Sequence, residues 1–431
     1  MLHTNLSINE QGNLSIAGVD TVELAKEFGT PLMVMDEERI RKNFSVYKTA
    51  MAKYFEGDSH PLFASKAFSA KYIYRIAKEE GVGIDLVSCG ELYTALSVGF
   101  DVSKAFFHGN NKTDWDINYA IENGVGHFVA DNLTEIDKID EIANNHGIIQ
   151  PVILRLSPGI DPHTHAAITT GQVDSKFGVA IETGQADDAV KYILSKKNVR
   201  LDGFHCHIGS QIFDIKPFTD AAKIMIGYIA HLKNDFGFTT EILNLGGGFG
   251  VRYIESQPII DYAEFIKDVS KYIKEEVANS NIKMPTIIME PGRSIVADST
   301  LTLYTVGGTK EIPGFKNYVS VDGGMGDNPR YALYQSDYTV LIANKMNEEP
   351  TFRCTVAGRC CESGDLLQEN VLIPKPYRGD ILAVLVTGAY NYSMASNYNR
   401  LTRPMVIGIK DGKPFTIIKR ETFEDLIKND I

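Results

Sequence analysis

The run LFASKAFS places Lys66 at the end of an apolar stretch, where its amine can reach beyond a strand to a bound molecule. An amine made neutral by desolvation or by a nearby cation condenses with an aldehyde to a Schiff base. Taken alone, Lys66 is more commonly a strand-end lysine whose stem lies on apolar surface while its ammonium stays wet. Gly246, Gly247 and Gly248 follow the apolar ILNL. Residues without side chains let backbone N–H groups converge on an anion, although a plain turn uses the same residues. In MEPGRS, Glu290 offers a carboxylate to a pyridine nitrogen, and Arg293 offers a bidentate grip on phosphate or carboxylate. The same two residues could also simply pair at the surface. His205 and His207 bracket Cys206 in HCHIGSQ, and on a strand the two imidazoles share a face. That arrangement fits a metal pair or a satisfied core histidine. Read with Lys66, it fits His207 lying against a cofactor ring while Ser210 donates to a phosphate. An aldehyde, a phosphate and a pyridine nitrogen together describe pyridoxal 5'-phosphate (PLP), whose protonated ring is the electron sink that decarboxylation needs.

These residues can act together only if the fold brings their strand ends to one place. From Pro61 to Glu290, short runs rich in β-branched and aromatic residues alternate with stretches of helical period such as AKYIYRIAKEEG, GELYTALSVG and YAEFIKDVSKYIKEEV. Eight such strands are expected: LFAS, GIDLVS, AFFHG, HFVAD, PVILRLS, GFHCHIGS, ILNLGGG and TIIMEPG. Eight βα units suggest a closed (β/α)8 barrel, in which working residues sit at the C-terminal strand ends. Those ends carry Lys66, Asp85 with Ser88, His108, Arg155, His207 with Ser210, the three glycines and Glu290. After about Val296 the texture becomes strands with tight turns, among them a hairpin at Gly412 between MVIGI and PFTII. The expected fold is therefore α/β plus β: a PLP-binding barrel over 31–295 and an antiparallel β domain over 296–431. An N-terminal segment, 1–30, with a hairpin in LSINEQGNLSIAG, is expected to join the β domain.

Composition narrows the partners. The chain of 431 residues carries a net charge of -12 with no basic stripe, which argues against nucleic acid. No basic start with an apolar core and no long apolar run is present, so a cytoplasmic protein without membrane contact is expected. Five cysteines, Cys89, Cys206, Cys354, Cys360 and Cys361, read as free thiols.

The motifs ASKAFS, GIDLVSCGELYTAL, HGNNKT, LRLSPGID with the later DSKFG, HCHIGSQ, NLGGGFG, EPGRS, DGGMGDNPRYALY, CCESGD and GAYNYSMASNYN occur in that order over nearly the whole chain. In this order the chain resembles the barrel-type PLP decarboxylases that act on ornithine, arginine and diaminopimelate, and within them the diaminopimelate branch. The resemblance implies that Lys66 carries the Schiff base and His207 stacks on the ring, with Asp85 supporting His207. It assigns the phosphate to Ser210, Gly246, Gly247, Gly248 and Tyr390, and the pyridine nitrogen to Glu290. It further implies head-to-tail homodimers with shared active sites, in which Cys361 enters the partner's site to protonate the substrate carbon after carbon dioxide leaves. Cys360 is the neighbour on the opposite face if this is strand. The implied reaction converts meso-2,6-diaminopimelate to L-lysine. A reader of that substrate's far end needs cations and a carboxylate, which Arg293, Arg330 and Tyr334 (with Tyr390) and Glu362 offer. A carboxynorspermidine or basic amino-acid decarboxylase, a metal-dependent hydrolase using His205 and His207, and a silent PLP-binding regulator are the alternatives. The chain departs from the branch at NRLTRPMV and at Tyr331, where proline is common.

Overall fold

The computed structural model describes residues 1–55, 57–160 and 176–431. Asp161, Asp174 and Ser175 of the motifs above lie outside the described residues. The described chain forms two compact units, Asn43–Gly250 with Ile260–Ser294, and Met1–Lys42 with Val251–Ile259 and Ile295–Ile431.

The first unit is built on eight strands: β1 (His60–Ala64), β2 (Gly83–Leu86), β3 (Ala105–Phe107), β4 (His127–Ala130), β5 (Gln150–Ser157), β6 (Val199–His205), β7 (Ile242–Asn244) and β8 (Thr286–Met289). Each pairs in parallel with the next, and β8 pairs with β1, so the sheet closes as a barrel. Parallel neighbours need crossovers, which amphipathic helices supply. The helix Lys71–Glu80 shows how the sequence sets them: Ile73, Tyr74, Ile76 and Ala77 recur at helical spacing on its buried side, and Gly81, at φ 69°, ends it. Inside the ring Leu62, Phe106, Val129, Ile153 and Ile288, one from each of five strands, pack with Ile242 of a sixth. The barrel is thus filled along its axis, and polar chemistry is left to the strand ends.

In the second unit a long strand, Thr300–Glu311, is flanked by Leu32–Asp36, Ile381–Leu385 and Asn317–Val321. Leu32–Asp36 also pairs with Met405–Lys410, so it is an inner strand here, and the division falls after Lys42 rather than at residue 30. Its all-buried LMVMD has the texture of a barrel strand, because burial on both faces removes the alternation that would tell them apart. The sheet is mixed, not antiparallel: Asn317–Val321 with Phe352–Ala357, and Leu32–Asp36 with Met405–Lys410, run parallel. Both pairs join segments far apart in sequence, where no tight turn forces the antiparallel sense. Both expected hairpins form, Leu6–Ile8 with Leu14–Ile16, and Met405–Lys410 with Lys413–Ile418 across Asp411 and Gly412, both at positive φ. All five cysteines are free, and no described helix is long and apolar enough to cross a membrane.

Candidate active site

Lys66 sits in a single helical turn, Ser65–Ala67, directly after β1. It is exposed, although the strand before it is apolar and buried. What fixes it is the turn. Asp85, buried at the end of β2, accepts the Ser65 N–H at 2.9 Å, and the Pro291 carbonyl accepts the Ala64 N–H at 3.1 Å. Lys66 acts electrostatically on Asp85, Glu91 and His207, which places all four together. Burial, with the nearby Glu290 carboxylate, raises the Asp85 pKa to about 6, against the pull of His108 and Lys66.

The strand β6 stops at His205, so His205 and His207 do not share a strand face. His205 turns to Glu290, while burial and the charges of Lys66 and Arg155 hold the His207 pKa well below its ordinary value. His207 is pressed by the glycine run: a Cβ on Gly246 would lie 2.9 Å from its Nδ1 and 2.7 Å from the Cys206 carbonyl oxygen. On Gly247 a Cβ would lie 2.1 Å from the Glu290 carbonyl oxygen. Only glycine allows these three strand ends to close on one another. Among the described residues, no group accepts the N–H of buried Gly247 or of Gly248, whereas the Gly246 N–H goes to Asn244 Oδ1 at 2.9 Å. Buried backbone donors of this kind are normally satisfied, and an anion satisfies them. The Arg293 guanidinium, buried, donates to Ser210 Oγ at 2.9 Å from Nη2 and 3.3 Å from Nε, so these two residues flank the same loop end.

Glu290 is the centre of a buried cluster. Asn244 Nδ2 donates to it at 2.7 Å, His205 Nε2 lies 3.3 Å from Oε2, and His108 Nε2 lies 2.8 Å from Oε1, close but poorly directed for a hydrogen bond. These three donor atoms of His108, His205 and Glu290 fall within 4.8 Å of one another; His207 is not among them. Burial alone would raise the Glu290 pKa, yet the two histidines hold it well below the carboxylate range.

Beyond His108 and Asn244, Arg155 and Glu91 belong to this site and carry no role in the sequence reading. Arg155, buried at the end of β5, stacks over Phe177 at 4.3 Å and influences His205, His207, Glu290 and Asp85. Glu91 lies one turn into the helix Cys89–Leu96 and accepts the Val87 N–H at 2.8 Å; burial raises its pKa to about 7. Its signal was the Ser88-x-x-Glu91 spacing of a helix start, which reads as a cap.

In the other unit, Arg330 is buried and donates to Tyr253 Oη at 3.2 Å, Tyr338 Oη at 3.0 Å and Ser336 Oγ at 3.2 Å. No described carboxylate pairs with it. Burial works against its charge, but the hydroxyls of Tyr338 and Tyr253 leave its pKa raised. Tyr338 Oη donates to Asn391, the residue after Tyr390, which adopts φ 66°. Tyr334, half-buried, ends the helix Arg330–Tyr334, and Tyr331 ties that helix down by donating to Glu369 at 2.9 Å. Cys361 and Glu362 are exposed; Cys360 is not, and burial pushes its thiol up to about 11. The Cys361 N–H donates to Asn399 Oδ1 at 2.7 Å, so the divergent segment beyond Tyr390 bears on the Cys361 loop and not on local packing alone.

Residues 37–297 match the family model of the pyridoxal-dependent decarboxylase pyridoxal-binding domain. The chain is 45% identical over 430 residues to a diaminopimelate decarboxylase of Halalkalibacterium halodurans, covering 100% of this chain and 98% of that one. It is 43% identical over 431 residues to that of Bacillus subtilis, again covering 100% and 98%. The crystal structure of a diaminopimelate decarboxylase from M. jannaschii in complex with L-lysine superposes with a TM-score of 0.91 at 35% identity, covering 100% of this chain and 98% of that chain. A chain with an amine on a barrel strand end, a glycine loop with open amides and a fixed carboxylate, matched to such relatives along its length, belongs to the PLP-dependent decarboxylases, in the diaminopimelate decarboxylase family.

Proposed function

We propose that the protein removes carbon dioxide from the D-configured centre of meso-2,6-diaminopimelate and yields L-lysine, acting as a cytoplasmic homodimer. The observation that carries the reading is the convergence at the barrel's strand ends of Lys66, Asp85, His207 and Glu290 beside the open amides of Gly247 and Gly248. When bound, PLP supplies the electron sink for the pair left at Cα when the carboxylate departs. Lys66 would attach it, His207 would lie against its ring, and Glu290 would serve its pyridine nitrogen. Ser210, the three glycines, Arg293 and Tyr390 would hold the phosphate; Asp85 keeps the Lys66 turn in place.

The substrate reading draws on Arg330. A buried guanidinium that neutral hydroxyls surround is electrostatically suited to an anionic partner, such as the second carboxylate of diaminopimelate. Arg293, Tyr334 and Tyr390 are assigned to the same carboxylate and Glu362 to the distal ammonium. Cys361, exposed next to a neighbour whose thiol burial keeps protonated, is the proton donor to Cα, acting in the partner's site. The PLP-loaded protein supplied in turn with meso-diaminopimelate, ornithine, arginine and carboxynorspermidine should release carbon dioxide from the first alone and form L-lysine. Release from ornithine or carboxynorspermidine, with none from diaminopimelate, overturns the reading.

A further inference from the structure

Asp85 and Glu290 are both buried at strand ends of this barrel, and the two carboxylates do not behave alike. Asp85 accepts one backbone N–H and is pushed up to about 6 by burial and by Glu290, whereas Glu290, just as buried, is held well down. The difference lies in what surrounds Glu290. Asn244 donates to Oε1 at 2.7 Å, His205 Nε2 lies 3.3 Å from Oε2, and His108 Nε2 lies 2.8 Å from Oε1. The two imidazoles meet edge to face with centroids 4.9 Å apart, so each limits the rotation of the other. Burial lowers the His205 pKa to about 3, so this imidazole is neutral and has a single proton to give. Its Nδ1 meets no partner among the described residues, which leaves Nε2 as the protonated nitrogen facing Glu290. Asn244 is itself fixed: its Oδ1 accepts the Gly246 N–H at 2.9 Å, which ties the Glu290 clamp to the glycine loop.

We propose that His108 and His205 are positioning residues that, with Asn244, hold Glu290 as an oriented carboxylate for the pyridine nitrogen of PLP. This rests on the PLP reading above and extends it from the group that touches the cofactor to the groups that set its charge and direction. A buried carboxylate without such donors takes up a proton, and a neutral carboxyl neither favours nor aligns a protonated ring nitrogen. The histidines therefore act on one atom of the ring and on no other part of the cofactor.

That selectivity supplies the test. Apo-protein is titrated with PLP and with 1-deaza-PLP, in which a C–H replaces the ring nitrogen, and the ratio of the two dissociation constants is compared between variants. The wild type should prefer PLP. In His205→Leu that preference should fall by about tenfold or more, the worth of a hydrogen bond to a charged group, while the affinity for 1-deaza-PLP changes little. His205→Gln, which keeps an N–H near the place of Nε2, should recover most of the preference. If His205→Leu does not fold, His108→Phe, which removes the imidazole 2.8 Å from Glu290 that is close but poorly directed for a hydrogen bond, should lower the preference in the same direction. Equal loss for both ligands, or no change in the ratio, overturns the proposal, since a purely structural role moves both alike. Failure of the wild type to retain PLP on Lys66 would instead overturn the reading on which it rests.

Discussion

Cys360 and Cys361 are neighbours in sequence and differ in what can reach them. Burial, reinforced by Asp365, raises the Cys360 thiol to about 11, while Cys361 is exposed on a loop whose N–H is held by Asn399. Replacing the proton donor should cost a factor of roughly 10² to 10⁴ in kcat, the usual contribution of general acid catalysis. Steady-state kinetics of Cys361→Ala should show this loss with PLP content unchanged, and Cys360→Ala should stay close to wild type; the reverse ranking would reassign the acid. Residue types at strand ends were legible because a barrel puts chemistry there, and Lys66, Asp85, His207 and Glu290 do meet in one unit. The pairing of His205 was not. An H-x-H spacing suggests a shared face, but β6 ends at His205, and the partner of its imidazole comes from 85 residues away. Glu91 escaped for the opposite reason: its spacing from Ser88 is fully explained by a helix start.

At the scale of elements, the glycine loop is the joint between β7, β6 and β8. A Cβ on Gly247 would stand 2.1 Å from the Glu290 carbonyl oxygen, a backbone atom that cannot swing aside. Gly247→Ala should therefore destabilise the protein by about 1–3 kcal/mol in denaturant unfolding and lower its PLP content. Gly227→Ala, inside the helix Lys216–Phe236 where a Cβ meets nothing within 4 Å, should instead stabilise by about 0.5–1 kcal/mol. Similar effects for both would show that close approach at Gly247 is not needed. The eight strands and their helices were readable because each has its own period and punctuation. Which sheet Leu32–Asp36 joins was not, nor was the inclusion of Val251–Ile259 in the second unit. Such membership depends on partners 265 or more residues away for Leu32–Asp36, such as Thr300, which pairs with Met35, and local pattern carries no record of it.

For the molecule as a whole, buried acids make stability depend on pH. Asp327 accepts from Tyr304 and from the Gly324 N–H at 3.0 Å, and burial raises its pKa from 3.8 to about 7. A carboxyl whose folded pKa is raised stabilises the fold fully below 3.8 and loses that contribution as pH climbs through 7. Asp327→Asn, which cannot ionise, should gain stability relative to wild type across that window and keep a constant margin above it. Thermal unfolding over the same range checks this, and a constant difference throughout would contradict it. The proposed sharing of sites between two subunits makes a second prediction at this scale. Randomly mixed Lys66→Ala and Cys361→Ala chains form mixed dimers in half of all cases, each with one whole site, so about a quarter of wild-type activity should return. No recovery would mean that Cys361 acts within its own chain, or not at all. Everything above depends on the cofactor being held by one named amine. Borohydride reduction of the PLP-loaded enzyme followed by peptide mapping should find one pyridoxyl group per chain, on the peptide containing Lys66. Label on another lysine, or on none, would contradict the account.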